Sequence, residues 1–387
     1  MSVFTNWMSR YSNACTAFQI KRSGDIFVGK NYDWIIGDDL LIVNKRGVSK
    51  KAVATFLDKK RSSDRLVSWV SKYGSVTHNP LGREFGMGGI NETGLVIEGL
   101  SFPDTKTHKH DARPSISALQ FVQYLLDNCN SVKEVIDSEK SLRIRPTIKP
   151  GGHLFIADKS GNCAVIEYIN GKRVYYADDS MPYKVLTNSG YQKSVNFVKK
   201  NKKPWRDRAK SFERFITTEK MLRDYEADLK ISTLDYSFRI LRNAGWMRRI
   251  SIGKLNISMG TRCSFVYDIS RLQIHFRTNN NQNIRIVDLK SFDFTCSTPV
   301  KILDINSSLS GDVTEEFTDY TPQINNDLVK AVFKKTPYPF FYGLNFTFFY
   351  HLIKSGFKEF PEHPSENIET LMSYPETTIC VTQEKSI

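Results

Sequence analysis

Cys15-Thr16-Ala17-Phe18-Gln19-Ile20, then Lys21-Arg22-Ser23-Gly24-Asp25, then Ile26-Phe27-Val28-Gly29-Lys30-Asn31-Tyr32-Asp33-Trp34 is the stretch whose reading decides the fold. Two apolar, β-favouring runs flank a polar turn that contains glycine, which is the pattern of a β-hairpin. Folding the chain at Ser23-Gly24 returns Lys30 to Asp33 alongside Cys15. A thiol, a cation and a carboxylate thus come together. A cysteine needs such company to act as a nucleophile, because the thiolate is the reactive form.

Outward from this hairpin, strand-like segments fall at 16–20, 26–30, 40–44, 66–70, 85–90 and 94–100, with Asn91 to Gly94 as a second hairpin turn. Helical periodicity follows from Ser115 to Asn128 and again from Val132 to Ile136. Strands return at His153–Asp158, Cys163–Ile169 and Arg173–Ala177. Helices are expected at Tyr191–Val198, Arg208–Leu222 and Leu234–Asn243. A last antiparallel run follows at Cys263–Ile269, Leu272–Thr278 and Ile284–Leu289. Blocks of hairpin-connected strands alternating with blocks of helices predict an α+β layered sandwich, two antiparallel sheets covered by helices. Beyond residue 306 the pattern weakens: 307–324 reads as loop, 325–336 as a helix and 338–357 as an aromatic segment.

Composition narrows the function classes. Of 387 residues 40% are apolar and 25% charged, the balance of a chain that can bury a large core. Six cysteines without a CxxC pair exclude a zinc ribbon and are too sparse for a disulfide framework. The formal charge of +14 raises a nucleic-acid partner, but the basic residues are dispersed and no binding motif accompanies them. Anionic substrates or lipid head groups suit such a surface better. His108 and His110 alternate with lysines and lack paired ligands, so no metal is expected. Gly86-Met87-Gly88-Gly89 leads into a strand, which does not support a phosphate cradle. Four N-x-S/T matches, the first at Asn91, say nothing without a secretory signal. Tyr338–Ile353 carries Pro339, Gly343, Asn345 and His351 and is too short and interrupted to span a membrane.

The spaced segments together resemble the choloylglycine hydrolase and penicillin V acylase family of N-terminal-nucleophile (Ntn) amide hydrolases. Cys15-Thr16 followed by Gly29-Lys30-Asn31-Tyr32-Asp33-Trp34 resembles the family opening, and Ser68 to Val76 one of its strands. Asn91-Glu92-Thr93-Gly94-Leu95 is similar to its second hairpin, and Cys129 to Val135 to a helix end. Val185-Leu186-Thr187-Asn188-Ser189 is similar to its LTNSP segment, Phe212-Glu213-Arg214-Phe215 to its arginine-phenylalanine helix, and Ser264 to Thr278 to its late hairpin. The resemblance spans residues 15–306. It implies a four-layer αββα sandwich and hydrolysis of linear amide C–N bonds, with no metal or organic cofactor.

By that resemblance residues 1–14 are a leader, 15–306 the catalytic domain and 307–387 an extension wrapping the core. Ser12-Asn13-Ala14 looks like a cleavage site, yet no h-region precedes it; a cytoplasmic location is favoured on that ground, a periplasmic or secreted one if the leader is truncated. No histidine stands in a convincing position to be the base. A freed α-amine, with a pKa of about 7.7–8.0, can serve. The resemblance makes Cys15 nucleophile and base, Asp33 the holder of its ammonium, Asn188 the oxyanion donor and Arg214 the anchor of the network. Lys30 stands where arginine is usual and keeps the charge without the bidentate fork. Ser101 stands at a substrate-contacting position, where its hydroxyl or a backbone N–H is expected to act. The expected partner is a small N-acyl amide: a conjugated bile salt, a penicillin V-type side chain or an N-acyl homoserine lactone. A homotetramer is implied too. Two other readings stay open: a catalytically silent binding protein, and an acyltransferase to amines.

Overall fold

The computed structural model describes residues 14–55, 58, 65–145, 151–200, 209–225, 231–252, 255–336 and 364–381. Residues 1–13 of the expected leader, the aromatic segment 338–357 and Lys202-Lys203 lie outside the described residues.

Thr16–Arg22 and Asp25–Trp34 pair antiparallel with Lys21 opposite Ile26 and Thr16 opposite Asn31. The turn residues Ser23 and Gly24 take φ of 51° and 88°, the left-handed pair that a tight hairpin requires. Gly29 is dictated by packing: a Cβ there would meet the Phe18 ring at 2.3 Å. This hairpin lies in an eight-stranded sheet. Val185–Leu186 flanks Thr16–Arg22, and Leu255–Asp268, Gln273–Thr278, Arg285–Asp288 and Gly311–Asp312 continue on the other side. Met247–Ile252 also pairs with the long strand Leu255–Asp268.

The second sheet has nine strands in the order Lys172–Ala177, Cys163–Ile169, Gly152–Ala157, Val96–Ser101, Gly88–Asn91, Ser75–His78, Leu40–Asn44, Lys301–Asp304, Thr318–Asp319. Its alternation is sharp. Phe155, Ala157 and Val165 face the core between the sheets, while Leu154, Ile156 and Ile166 face the helices Ala118–Asn128 and Val132–Asp137. On the other side Ser211–Asp224 and Thr233–Ala244 cover the first sheet, with Tyr191–Lys200 packed beside them. The result is a four-layer αββα sandwich.

Three features differ from the sequence reading. Residues 307–324 are not wholly loop, because Gly311–Asp312 and Thr318–Asp319 add short edge strands to the two sheets. Strand structure begins at Met247, well before Cys263; Arg248 and Arg249 mask the apolar pattern there. Cys296 and Cys380 form a disulfide across a sequence separation of 84. Both flank Gly47: Arg46 bridges to Thr295, and Ile379–Cys380 pairs with Val48–Lys51. Cysteine counting sees nothing of such tertiary proximity. No helix among the described residues is long and apolar enough to cross a membrane.

Candidate active site

The first hairpin presents two faces. Thr16 and Asn31 turn toward the helices, where Arg214 Nε donates to Thr16 Oγ1 at 3.2 Å and Asn31 Nδ2 donates to the Leu241 carbonyl at 2.8 Å. Lys30, offset by one residue, turns toward the other sheet, where its Nζ lies 3.2 Å from Glu98 Oε2 and donates to the Gly99 carbonyl at 2.6 Å. Period-two alternation thus separates the cation of the motif from its carboxylate. Lys30 acts on the sulfur by charge, not as a paired neighbour of Asp33.

Around Cys15 four strand and helix ends converge. Its backbone N–H donates to Asn188 Oδ1 at 2.5 Å. Arg214, buried, donates from Nη2 to the same oxygen at 2.7 Å and to the Cys15 carbonyl at 3.4 Å, and from Nη1 to the Ala209 carbonyl at 3.0 Å. Asn188 Nδ2 gives one hydrogen to the Ser101 carbonyl at 2.8 Å. An amide nitrogen carries two hydrogens, so one remains for another acceptor. Asn188 therefore ties the strand end at Ser101 to Cys15 and is not solely a donor aimed at the cleft.

Asp33 ends its strand fully buried. Trp246 Nε1 donates to Oδ2 at 2.8 Å, while Oδ1 has no hydrogen-bond partner among the described residues. Burial raises its carboxyl to about 6 against the opposing pull of Arg214, Thr261, Trp246 and Lys30. Burial also raises the Cys15 thiol, and Lys30 offsets only part of this. The sulfur is therefore a thiol at neutral pH and needs a base.

Cys15, Asp33 and Ser101 line one cleft, with about 1350 Å³ of empty space, part of it open to solvent. Apolar side chains such as Leu100, Leu119, Phe121 and Val122 make most of the remaining wall. A small apolar body with a few polar points is what such a cleft fits. Lys30 and Arg214 stand behind this surface, and the half-buried Asn188 adjoins it through Ser101. His153 reaches the cleft wall too; its Nδ1 lies 3.0 Å from Glu167 Oε1, which also accepts from the Tyr191 N–H at 2.8 Å.

Behind Lys30 lies a second cluster that no motif announced. His78 Nε2 is 3.4 Å from Glu98 Oε2 and its Nδ1 is 3.2 Å from Asp39 Oδ2; Tyr267 donates to Glu98 Oε1 at 2.5 Å. All four side chains are buried. Burial alone would lower His78, but the hydrogen bonds to Asp39 and Glu98 and their charges outweigh it and raise the imidazole to about 9. Burial alone would raise Glu98, yet Lys30, His78 and Tyr267 hold it below its usual range. The signal was available in Val96-Ile97-Glu98-Gly99-Leu100: a carboxylate inside an apolar strand requires a buried partner.

The family model described as linear amide C–N hydrolases, choloylglycine hydrolase family, matches residues 15–227. The chain belongs to that family. A penicillin V acylase of Pectobacterium atrosepticum is 29% identical over 262 residues, 59% of this chain and 69% of that protein. The structure of penicillin V acylase from Agrobacterium tumefaciens superposes with a TM-score of 0.65 at 23% identity, covering 80% of this chain and 98% of that one. A variant of conjugated bile acid hydrolase from Clostridium perfringens gives 0.60 at 20% identity, covering 76% and 98%. These structures share the fold. Family membership makes the protein a hydrolase of linear amide C–N bonds.

Proposed function

We propose that the chain cleaves N-acyl amides with Cys15 as nucleophile and, once residues 1–14 are removed, with the α-amine of Cys15 as base. The observation that carries the reading is Asp33 Oδ1, a buried carboxylate oxygen without a partner among the described residues, on a group that also lines the cleft with Cys15. Such an oxygen costs stability unless something satisfies it. The ammonium of a freed Cys15 would do so; a peptide N–H carries no charge to match it.

In this mechanism the amine takes the thiol proton as Sγ attacks the acyl carbonyl. The hydrogen of Asn188 Nδ2 not given to Ser101 stabilises the oxyanion, a role worth about a hundredfold or more in rate for one donor. Asp33 stabilises the ammonium. The tetrahedral species collapses to a thioester as the ammonium passes its proton to the departing amine. Water then attacks the thioester, the α-amine takes a proton from it, and the acid and the thiol are released. Arg214 fixes Asn188 and the Cys15 carbonyl. Lys30 biases the thiol toward ionisation, and Ser101 contacts substrate.

The apolar cleft favours an apolar acyl group. Bile-salt conjugates, phenoxyacetyl penicillins and N-acyl homoserine lactones form the test panel, with released amines detected by mass spectrometry. Release by the wild type and none by Cys15→Ala supports the reading. Binding without release, or a Cys15→Ala variant that still releases amine, overturns it. New amides formed with added amines would make the enzyme an acyltransferase.

A further inference from the structure

The helix Pro322–Lys335 lies beyond residue 227, where the family match ends, and yet it reaches the cleft. Thr321 caps it, its Oγ1 accepting from the Ile324 N–H at 3.3 Å, and Pro322 opens its first turn. Asn325, Leu328, Val329, Val332 and Phe333 form its buried stripe at helical spacing. That stripe packs on Leu40 and Ile42 of the second sheet and on Phe85, with Leu371 and Tyr374 behind it.

Two contacts fix the helix to the two loops that frame this end of the cleft. Asn325, fully buried, accepts from the Arg83 N–H at 2.8 Å through Oδ1. Gly82 beside it has φ of +95°, and a Cβ there would stand 2.7 Å from the same oxygen. This holds the loop that carries Pro80 and Leu81 into the cleft wall. At the other helix end Lys335 Nζ lies 2.6 Å from Asp38 Oδ1, in the loop that carries Ile36 and Asp38 into the wall. Between these two fixings Val332 itself faces the cleft, beside Ile36, Leu81 and Leu119.

We propose that the helix Pro322–Lys335 closes the acyl cleft and that Val332 sets the longest acyl chain the enzyme accepts. The inference rests on reading the cleft as the acyl site. The scissile carbonyl must sit at the Cys15 sulfur, so an apolar acyl group extends from there along the apolar wall. Where that wall meets the helix it is closed by packed, buried side chains that cannot retreat without breaking the contacts to Leu371 and Tyr374. Chain length is then read by a wall contributed from outside the matched region.

The test is kcat/KM over a series of linear N-acyl amides from butanoyl to hexadecanoyl, for the wild type, Val332→Phe and Val332→Ala, with melting temperatures recorded alongside. Val332→Phe should cut kcat/KM for the longest accepted chains by about tenfold or more relative to shorter ones. Val332→Ala should move the optimum toward longer chains by about one or two methylenes. A change that merely loosens the fold lowers all lengths alike and cannot move the two variants in opposite directions. One shared ranking of chain lengths in all three proteins overturns the role of the helix while leaving the amidase reading intact. No turnover of any member by the wild type overturns the acyl-site reading and this inference with it.

Discussion

Two buried polar clusters lie on either side of the first hairpin, and they stand differently to the cleft. Around Cys15, Asp33 keeps one oxygen unpartnered among the described residues, and Cys15, Asp33 and Ser101 open on the cleft. Around Glu98 both carboxylate oxygens are engaged, by Lys30 and His78 on one and Tyr267 on the other, and neither Glu98 nor His78 lines the cleft. Asp39, on the far side of His78, also keeps Oδ1 without a partner among the described residues, so what sets the two clusters apart is access to the cleft. Paired buried charges away from a cleft tie two sheets together at little net gain in stability. An incomplete cluster at a cleft is held ready for another group. The proposed mechanism assigns the reaction to the cluster that opens on the cleft and a holding role to the one that does not line it.

The largest effect should fall on the incomplete cluster. Asp33→Asn removes the counter-charge for the ammonium and should lower kcat by about a thousandfold or more, by analogy with loss of an orienting carboxylate in a nucleophile–base pair. The freed ammonium holds Asp33 ionised below the value of about 6 in the uncut chain. The wild-type rate should therefore fall as pH drops through about 7.7–8.0, where the α-amine takes up its proton and no longer serves as base. A kcat of Asp33→Asn within tenfold of wild type would erase the contrast.

Asn188→Ala should cost about a hundredfold in kcat, with a smaller change in KM. Because Asn188 also bridges Ser101 and Cys15, the variant's melting temperature separates loss of the donor from loss of the bridge.

The cluster around Glu98 and His78 should answer in stability, not rate. His78 sits near 9 in the folded chain against an ordinary 6.5, so its protonated form favours folding. That contribution is complete below about 6.5 and is lost as pH rises through about 9, up to about 3 kcal/mol over the window. Urea unfolding from pH 6 to 10 should show this decline in the wild type and a flatter profile in His78→Gln. Identical profiles would show that His78 does not hold the charge.

The smallest change expected is Lys30→Arg. It keeps the charge toward Glu98 and the sulfur but alters its geometry, so a change in kcat/KM below about tenfold is expected, against a far greater loss in Lys30→Met, which strips the thiol of its nearby cation and Glu98 of one of its two buried cationic partners.

Local patterns carried much of this structure in the sequence. The hairpin turn at Ser23-Gly24, the strand at Leu40–Asn44 and the alternating Cys163–Ile169 are readable because turn residues and period-two burial are written along the chain. Cys15, Asp33, Asn188 and Arg214 were legible as a spaced set, and the structure brings Cys15, Asn188 and Arg214 into hydrogen-bond contact. What stayed hidden depends on packing between distant segments. Glu98 meets Lys30 only when two sheets stack, Cys296 meets Cys380 only beside Gly47, and Val332 joins the cleft only after a helix docks on Phe85. The split of Lys30 from Asp33 was missed for a simpler reason. An odd number of residues apart on a strand, they point to opposite faces.

The central claim is that one residue supplies both sulfur and free amine, and the most direct test is the intact mass of the active protein, read together with its N-terminal sequence. The account predicts that active molecules begin at Cys15 and that molecules retaining residues 1–14 are inert. Full turnover by protein that still carries those fourteen residues would contradict it.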